Sequence, residues 1–156
     1  TISSLWEANM EVLDPKNSGI DLFDEDWKIY SRNSGMTGHK IGSDAVIKNS
    51  MITDGCRIDG EVEHSVLFAG VKVAPGAVVK DAVVMGGTVI KPGAVVEHCI
   101  IGENAVIGEN AKIGVEKEGE DKGVATIGPG VYVGDGATVG SNAMVRENVK
   151  DGEEEW

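Results

Sequence analysis

The chain has 156 residues, a formal net charge of −12 and a pI near 4.6. That length allows one principal domain with an appendage. The acidity argues against nucleic acid or an anionic membrane surface as a partner, because both reward Lys and Arg. No apolar run approaches the roughly 18 residues of a membrane span, and no basic start leads into an apolar stretch of signal-peptide type, so the cytoplasm is the expected compartment.

TISSLWEANMEVLD (1–14) reads as a helix. Thr1 or Ser3 is placed to cap it, Leu5, Ala8, Met10 and Val12 supply apolar positions, and Pro15 ends it. One such helix cannot bury its face alone, and the segment is read as the closing helix of a domain that precedes this sequence. Residues 15–40 carry no repeat; DEDWKIYSRN within them is expected to be a short strand or turn crossing to the next unit. Domain boundaries are thus set at 1–40 for helix and connector, 41–150 for the repeat unit and 151–156 for an acidic tail, DGEEEW, expected to be frayed.

From Ile41 to Val145 an aliphatic residue returns about every six positions, and IGENAVIGENAKIG (101–114) shows the period unbroken. The anchors are Ile41, Ile47, Ile52, Ile58, Val62, Leu67, Val73, Val79, Val84, Ile90, Val96, Ile101, Ile107, Ile113, Ile127, Val133, Val139 and Val145. At three anchors per turn they predict a mainly β fold, a parallel β-helix of about six coils with a short N-terminal helix. Hexapeptide solenoids coil left-handed, and the handedness is carried from that repeat class, an exception to the right-handed crossover rule. The residue two before each anchor is usually small, as at Ala45, Ala77, Ala94 and Ala111, because two inward side chains must share a narrow triangular interior. Cys56 and Cys99 occupy that slot and read as buried thiols rather than a disulfide. Glycines mark the corners. Several sides run one residue short, among them KNSMI, KDAVV and EHCII, and close through a tighter corner. Residues 114–126 interrupt the period with charge and glycine, which predicts an external loop.

Little in this pattern carries chemistry. His64 and His98 fall at equivalent positions with Asn49 and Asp81, so an outward polar row is expected in preference to a zinc site, with Asp81 between the histidines and raising both pKa values. No histidine falls in or beside the loop in sequence, which weakens a hexapeptide acyltransferase using acyl-CoA, the alternative enzyme reading. A non-catalytic solenoid assembly module is the alternative outside enzymes. Six cations are candidates for holding a regulatory anion: Lys28, Arg32 and Lys40 around the connector, and Lys112, Lys117 and Lys122 near the loop. The glycines follow the six-residue period and no helix starts after them, so no phosphate-cradling loop is present. No catalytic residue and no metal ligand is assigned within this sequence.

TISSLWEANMEVLD followed by WKIYSRN and by a solenoid holding KNSMITDGCRI, VEHSVLF and HCIIGENAVIG resembles the C-terminal part of the bacterial glucose-1-phosphate adenylyltransferase family. The resemblance runs along nearly the whole chain. It implies a larger nucleotidyltransferase that makes ADP-glucose and pyrophosphate from ATP and glucose 1-phosphate, the committed step of glycogen synthesis. Its catalytic domain, with the ATP loop, the sugar-phosphate lysine and the Mg2+-binding acids, would lie N-terminal to this sequence, and this segment alone is expected to be inactive. The resemblance further implies a β-helix that contacts the catalytic domain, builds homo- or hetero-oligomers, in the family a tetramer, and helps form allosteric sites for phosphorylated metabolites or nucleotides. A non-catalytic paralogous subunit would show the same tail. One departure is that Ser34-Gly35-Met36-Thr37-Gly38 stands where many members carry a Pro-Pro pair.

Overall fold

The computed structural model describes residues 1–30, 32–119 and 122–156; Ser31 of the connector and Glu120 and Asp121 of the expected loop lie outside the described residues. The solenoid is built of short parallel strands on three faces. On the first face the inward anchors stack in the order Ile41, Ile58, Val73, Ile90, Ile107, Val133, with a further bridge from Val133 to Val149. On the second they run Ile47, Val62, Val79, Val96, Ile113, Val139 and Glu155. On the third they run Ile52, Leu67, Val84, Ile101, Ile127 and Val145. The spacing of Val79, Val96 and Ile113 in sequence is therefore one coil per step.

About seven turns are present, not about six. The extra turn comes from Val149 and from Glu154–Glu155, which pairs in parallel with Thr138–Gly140. A count of aliphatic anchors misses it because Glu155 stands in the anchor position on an exposed side, where backbone pairing alone makes the rung. The segment expected to be a frayed tail is thus the last side of the coil. Trp156 lies against Gly140, and the Lys117 ammonium stands 4.9 Å from its ring centre.

The interior is the alternation that the sequence implies. Ile58, Leu67, Ile90, Ile101 and Ile107 are fully buried, and the small slot beside them holds Ala77, Ala94, Ala105, Ala111 and the free thiols Cys56 and Cys99. Burial pushes both thiol pKa values up. The two polar side chains fully buried in that slot are paired. The Ser65 hydroxyl donates to the Glu63 carbonyl and accepts from Ala82 N, and the Thr88 hydroxyl donates to the Gly102 carbonyl.

Corners are of two kinds. At the short sides the turn residue is not glycine: Asn49, His64, Asp81 and His98 adopt φ of 38–48°. Asn, Asp and His are the residues that tolerate this left-handed region best. The strands Val78–Val84 and Val95–Ile101 consequently run through the corner without a break and join the second and third faces into one sheet. At the six-residue corners the left-handed residue is glycine or asparagine, as at Gly93 and Asn110, and Gly108 is needed for a different reason, since a Cβ there would stand 2.5 Å from the Gly134 carbonyl carbon of the next coil. The external excursion is shorter than expected, because Lys112–Val115 and Ala125–Ile127 are strands at its two ends.

The N-terminal helix, α1 (Ile2–Glu11), is capped by the Thr1 hydroxyl, which accepts from Ser4 N at 3.1 Å. Its buried side agrees in part with the apolar positions: Met10 is buried and Val12 packs beside it, but Leu5 and Ala8 are exposed. Leu5 is 47% exposed, whereas Ile2, Trp6 and Met10, one turn apart, face the solenoid. They meet Val66, Val83, Ile100 and Val124, outward aliphatics of the third face and its flank. The helix therefore covers the side of the solenoid, and its end at the first coil is only partly roofed by the connector. Between them lies an apolar cavity of about 920 Å3 lined by Phe23, Ile29, Ile41, Ile47 and Ile52. No strand forms in the described part of DEDWKIYSRN; Asp24 Oδ1 instead accepts from Asp26 N and Trp27 N in a tight turn.

Two outcomes follow from this packing. Ile107→Asp places an unpaired carboxylate in the centre of the stack and destabilises the chain by about 3–5 kcal/mol, read as a drop in Tm of about 10 °C; an unchanged Tm would place Ile107 outside the core. Removing residues 1–39 uncovers the Val66, Val83 and Ile100 stripe and yields aggregates by light scattering, whereas a soluble monomer would show that the stripe needs no cover.

Candidate functional site

Three consecutive coils carry His64, Asp81 and His98 at the same corner, held outward by the left-handed backbone. Asp81 does stand between the histidines. His64 Nδ1 lies 2.6 Å from Asp81 Oδ1, a distance that fixes the imidazole orientation. The row is solvated only in part: the His64 and Asp81 side chains remain 38% and 47% exposed, while α1 docks against its other end. Trp6 Nε1 donates to the Asp81 carbonyl at 2.7 Å, and the indole ring centre is 4.4 Å from that of His98 at an interplanar angle of 59°. His64 faces a cleft of about 500 Å3 with Glu7, Met10, Glu11 and Asp14 on its helical wall.

The expected rise in both histidine pKa values is corrected for His98, which is lowered. Burial is the main cause and the Lys122 ammonium adds to it; Asp81 and Glu116 pull the other way and are outweighed. His98 also lies beside the external loop, although no histidine is near it in sequence, since Lys122 and Glu116 act on it electrostatically. Those two loop residues pair at 2.8 Å, which holds the Glu116 carboxyl below and the Lys122 ammonium above the ordinary value. Among the described residues no group of three or more His, Cys, Asp or Glu is placed to hold a metal ion.

The six candidate cations are dispersed. Lys28 is exposed on the connector, and Arg32 lines the apolar cavity at the first coil. Lys40 is on the first face and Lys112 on the second. Lys117 is over Trp156 and Lys122 is paired with Glu116. Two cations that the sequence reading passed over, Arg57 and Lys72, stack in register with Lys40 on the first face. Their signal is a cation immediately before every third anchor, in the dipeptides Lys40-Ile41, Arg57-Ile58 and Lys72-Val73.

Because His98 holds its proton less tightly in the folded chain than in the unfolded one, the stability it governs is complete above the ordinary pKa of 6.5 and is lost as pH falls below it. Lowering the pH from neutral through this range is expected to reduce Tm more in the native chain than in His98→Asn, whose side chain keeps the left-handed corner. Parallel Tm profiles for the two chains would remove His98 as the source.

The family described as GlmU-like, C-terminal hexapeptide matches residues 34–134. Glucose-1-phosphate adenylyltransferase of Clostridium perfringens (strain SM101 / Type A) is 53% identical over 85 residues, 54% of this chain and 22% of the relative. That of Geobacillus stearothermophilus is 49% identical over 80 residues, 51% of this chain and 20% of the relative. The chain thus matches about a fifth of the length of these relatives. The acetyltransferase domain of PglB from Neisseria gonorrhoeae FA1090 superposes with a TM-score of 0.52 at 22% identity, covering 78% of this chain and 55% of that one, a likeness of fold. With parallel three-faced coils and a family match over most of its length, the chain belongs to the GlmU-like, C-terminal hexapeptide family.

Proposed function

We propose that this chain is the C-terminal regulatory and oligomerisation domain of a bacterial, cytoplasmic glucose-1-phosphate adenylyltransferase acting in glycogen biosynthesis. The observation that carries the reading is the 53% identity with a relative of that name across half of the chain. The fold suits the role: a rigid stack presents long faces to other domains and subunits. Transfer of the adenylyl group from ATP to glucose 1-phosphate, with Mg2+, belongs in this reading to the catalytic domain of the parent enzyme. The solenoid's part is to pack against that domain, join subunits and shift their equilibrium when a phosphorylated metabolite or nucleotide binds.

Trp6 has a place in this scheme. It ties α1 to the Asp81 and His98 corner, so any element continuous with α1 is held at a fixed orientation on the third face. No described helix is long and apolar enough to cross a bilayer.

The test compares ADP-glucose formation from ATP, glucose 1-phosphate and Mg2+ by this chain and by the complete product of the locus that encodes it. Activity in the complete protein and none in this chain is the expected result. Inactivity in both would overturn the catalytic assignment and leave a non-catalytic paralogous subunit or an assembly module.

A further inference from the structure

The outward residue that precedes each anchor on the first face reads, coil by coil, Lys40, Arg57, Lys72, then Val89, Val106 and Tyr132. The first three are exposed and in strict parallel register. Adjacent strands lie about 4.8 Å apart, so three cationic side chains stand in a line about 10 Å long. Stacking like charges on neighbouring rungs is unfavourable in itself. The second face avoids it: Lys48, Glu63, Lys80 and Glu97 alternate in sign there, with Glu63 3.7 Å from Lys48 and 3.9 Å from Lys80. Of these three first-face cations only Arg57 has a counter-charge among the described residues. Its Nε donates to Asp59 Oδ2 at 3.0 Å, and the terminal edge of the guanidinium, formed by its two amino groups, is not used in that bond. Lys40 and Lys72 have no ion pair among the described residues. Lys91, further along the face, is taken up by Asp135 at 3.5 Å.

We propose that the Lys40, Arg57 and Lys72 row is a binding site for a short oligophosphate, an anion of two or three linked phosphoryl groups laid along the solenoid axis. The terminal fork of Arg57 grips a phosphoryl group at the centre through paired hydrogen bonds while Asp59 fixes its orientation. The two lysines, each one rung away, neutralise the groups on either side. A small anion fits better than an acidic protein or a nucleic acid. The chain carries a net charge of −12, and an extended polyanion would meet that charge beyond the row, whereas within a Debye length of about 8–10 Å a compact ligand responds mainly to the three nearby cations. The site concerns this chain's own surface and holds whether or not the parent enzyme makes ADP-glucose.

Isothermal titration of the 156-residue chain with tripolyphosphate, pyrophosphate and orthophosphate tests it directly. One tripolyphosphate should bind per chain, at least about tenfold more tightly than orthophosphate, and Arg57→Gln and Lys72→Gln should each weaken it by about tenfold, as expected for loss of a charge-assisted hydrogen bond. Lys48→Gln, on the second face, should leave it unchanged. All three substituted residues are solvent-exposed, and a retained Tm verifies the fold of each variant. A nucleoside triphosphate without Mg2+ identifies the source. Affinity equal to that of tripolyphosphate marks the phosphate chain as the recognised group, and tighter binding marks a nucleotide whose remaining body rests on Val89 and Val106. The proposal falls if no saturable binding occurs, if orthophosphate binds as tightly as tripolyphosphate, if Lys48→Gln weakens binding as much as Arg57→Gln, or if polyglutamate displaces tripolyphosphate at equal charge concentration.

Discussion

Everything in this molecule depends on parallel register. Each coil hydrogen-bonds to the next with like positions opposed, so Ile58 sits on Val73 and Val73 on Ile90 along the whole first face. The inward column closes a dry interior, and the narrow triangle forces a small residue beside each large one, as at Ala105 beside Ile107. Register also governs the outside, because any outward residue type that recurs with the coil is multiplied into a row. A solenoid thus has rows of surface chemistry where a globular protein has scattered residues.

Inward positions were legible because their constraint is strong and periodic. The anchors from Ile41 to Val145 and the small slot holding Cys56 and Cys99 could be read off the chain, since a shift of one residue would turn every aliphatic outward. The last coil was not legible for the converse reason. Glu154 and Glu155 bury nothing and are held by backbone pairing, which leaves no trace in side-chain type. The buried side of α1 was legible at Met10 and Val12 only: Leu5 is apolar yet exposed, while Trp6 owes its place to a carbonyl and an imidazole supplied by distant coils.

A local signal for that docking did exist. The third face carries aliphatic doublets at Met51-Ile52, Val66-Leu67, Val83-Val84 and Ile100-Ile101, in which only the second member can face inward. The first member of each needs a cover, and Met10 with its neighbours on α1 provides it. The corner beside this stripe shows how context reverses a simple electrostatic expectation. Asp81 alone would raise the pKa of His98, but the covering indole removes water from one side of the ring and Lys122 approaches from the loop, so the neutral imidazole wins.

The outward residues flanking the anchors thus assign each face its fate. On the third face the residue just before the anchor is aliphatic in the first four coils and is covered by α1. On the second, the residue just after the anchor alternates in charge from coil to coil, and the face neutralises itself. On the first face three like charges stand in a row in a strongly acidic chain, with one carboxylate to offset them. Nothing in the hydrogen-bonded ladder requires those cations, since Val89 and Val106 occupy the same positions one and two coils beyond Lys72 and pair equally well. A row whose internal repulsion serves no packing purpose is most simply understood as complementary to something negative outside the chain, and its straightness and length set the shape of that anion.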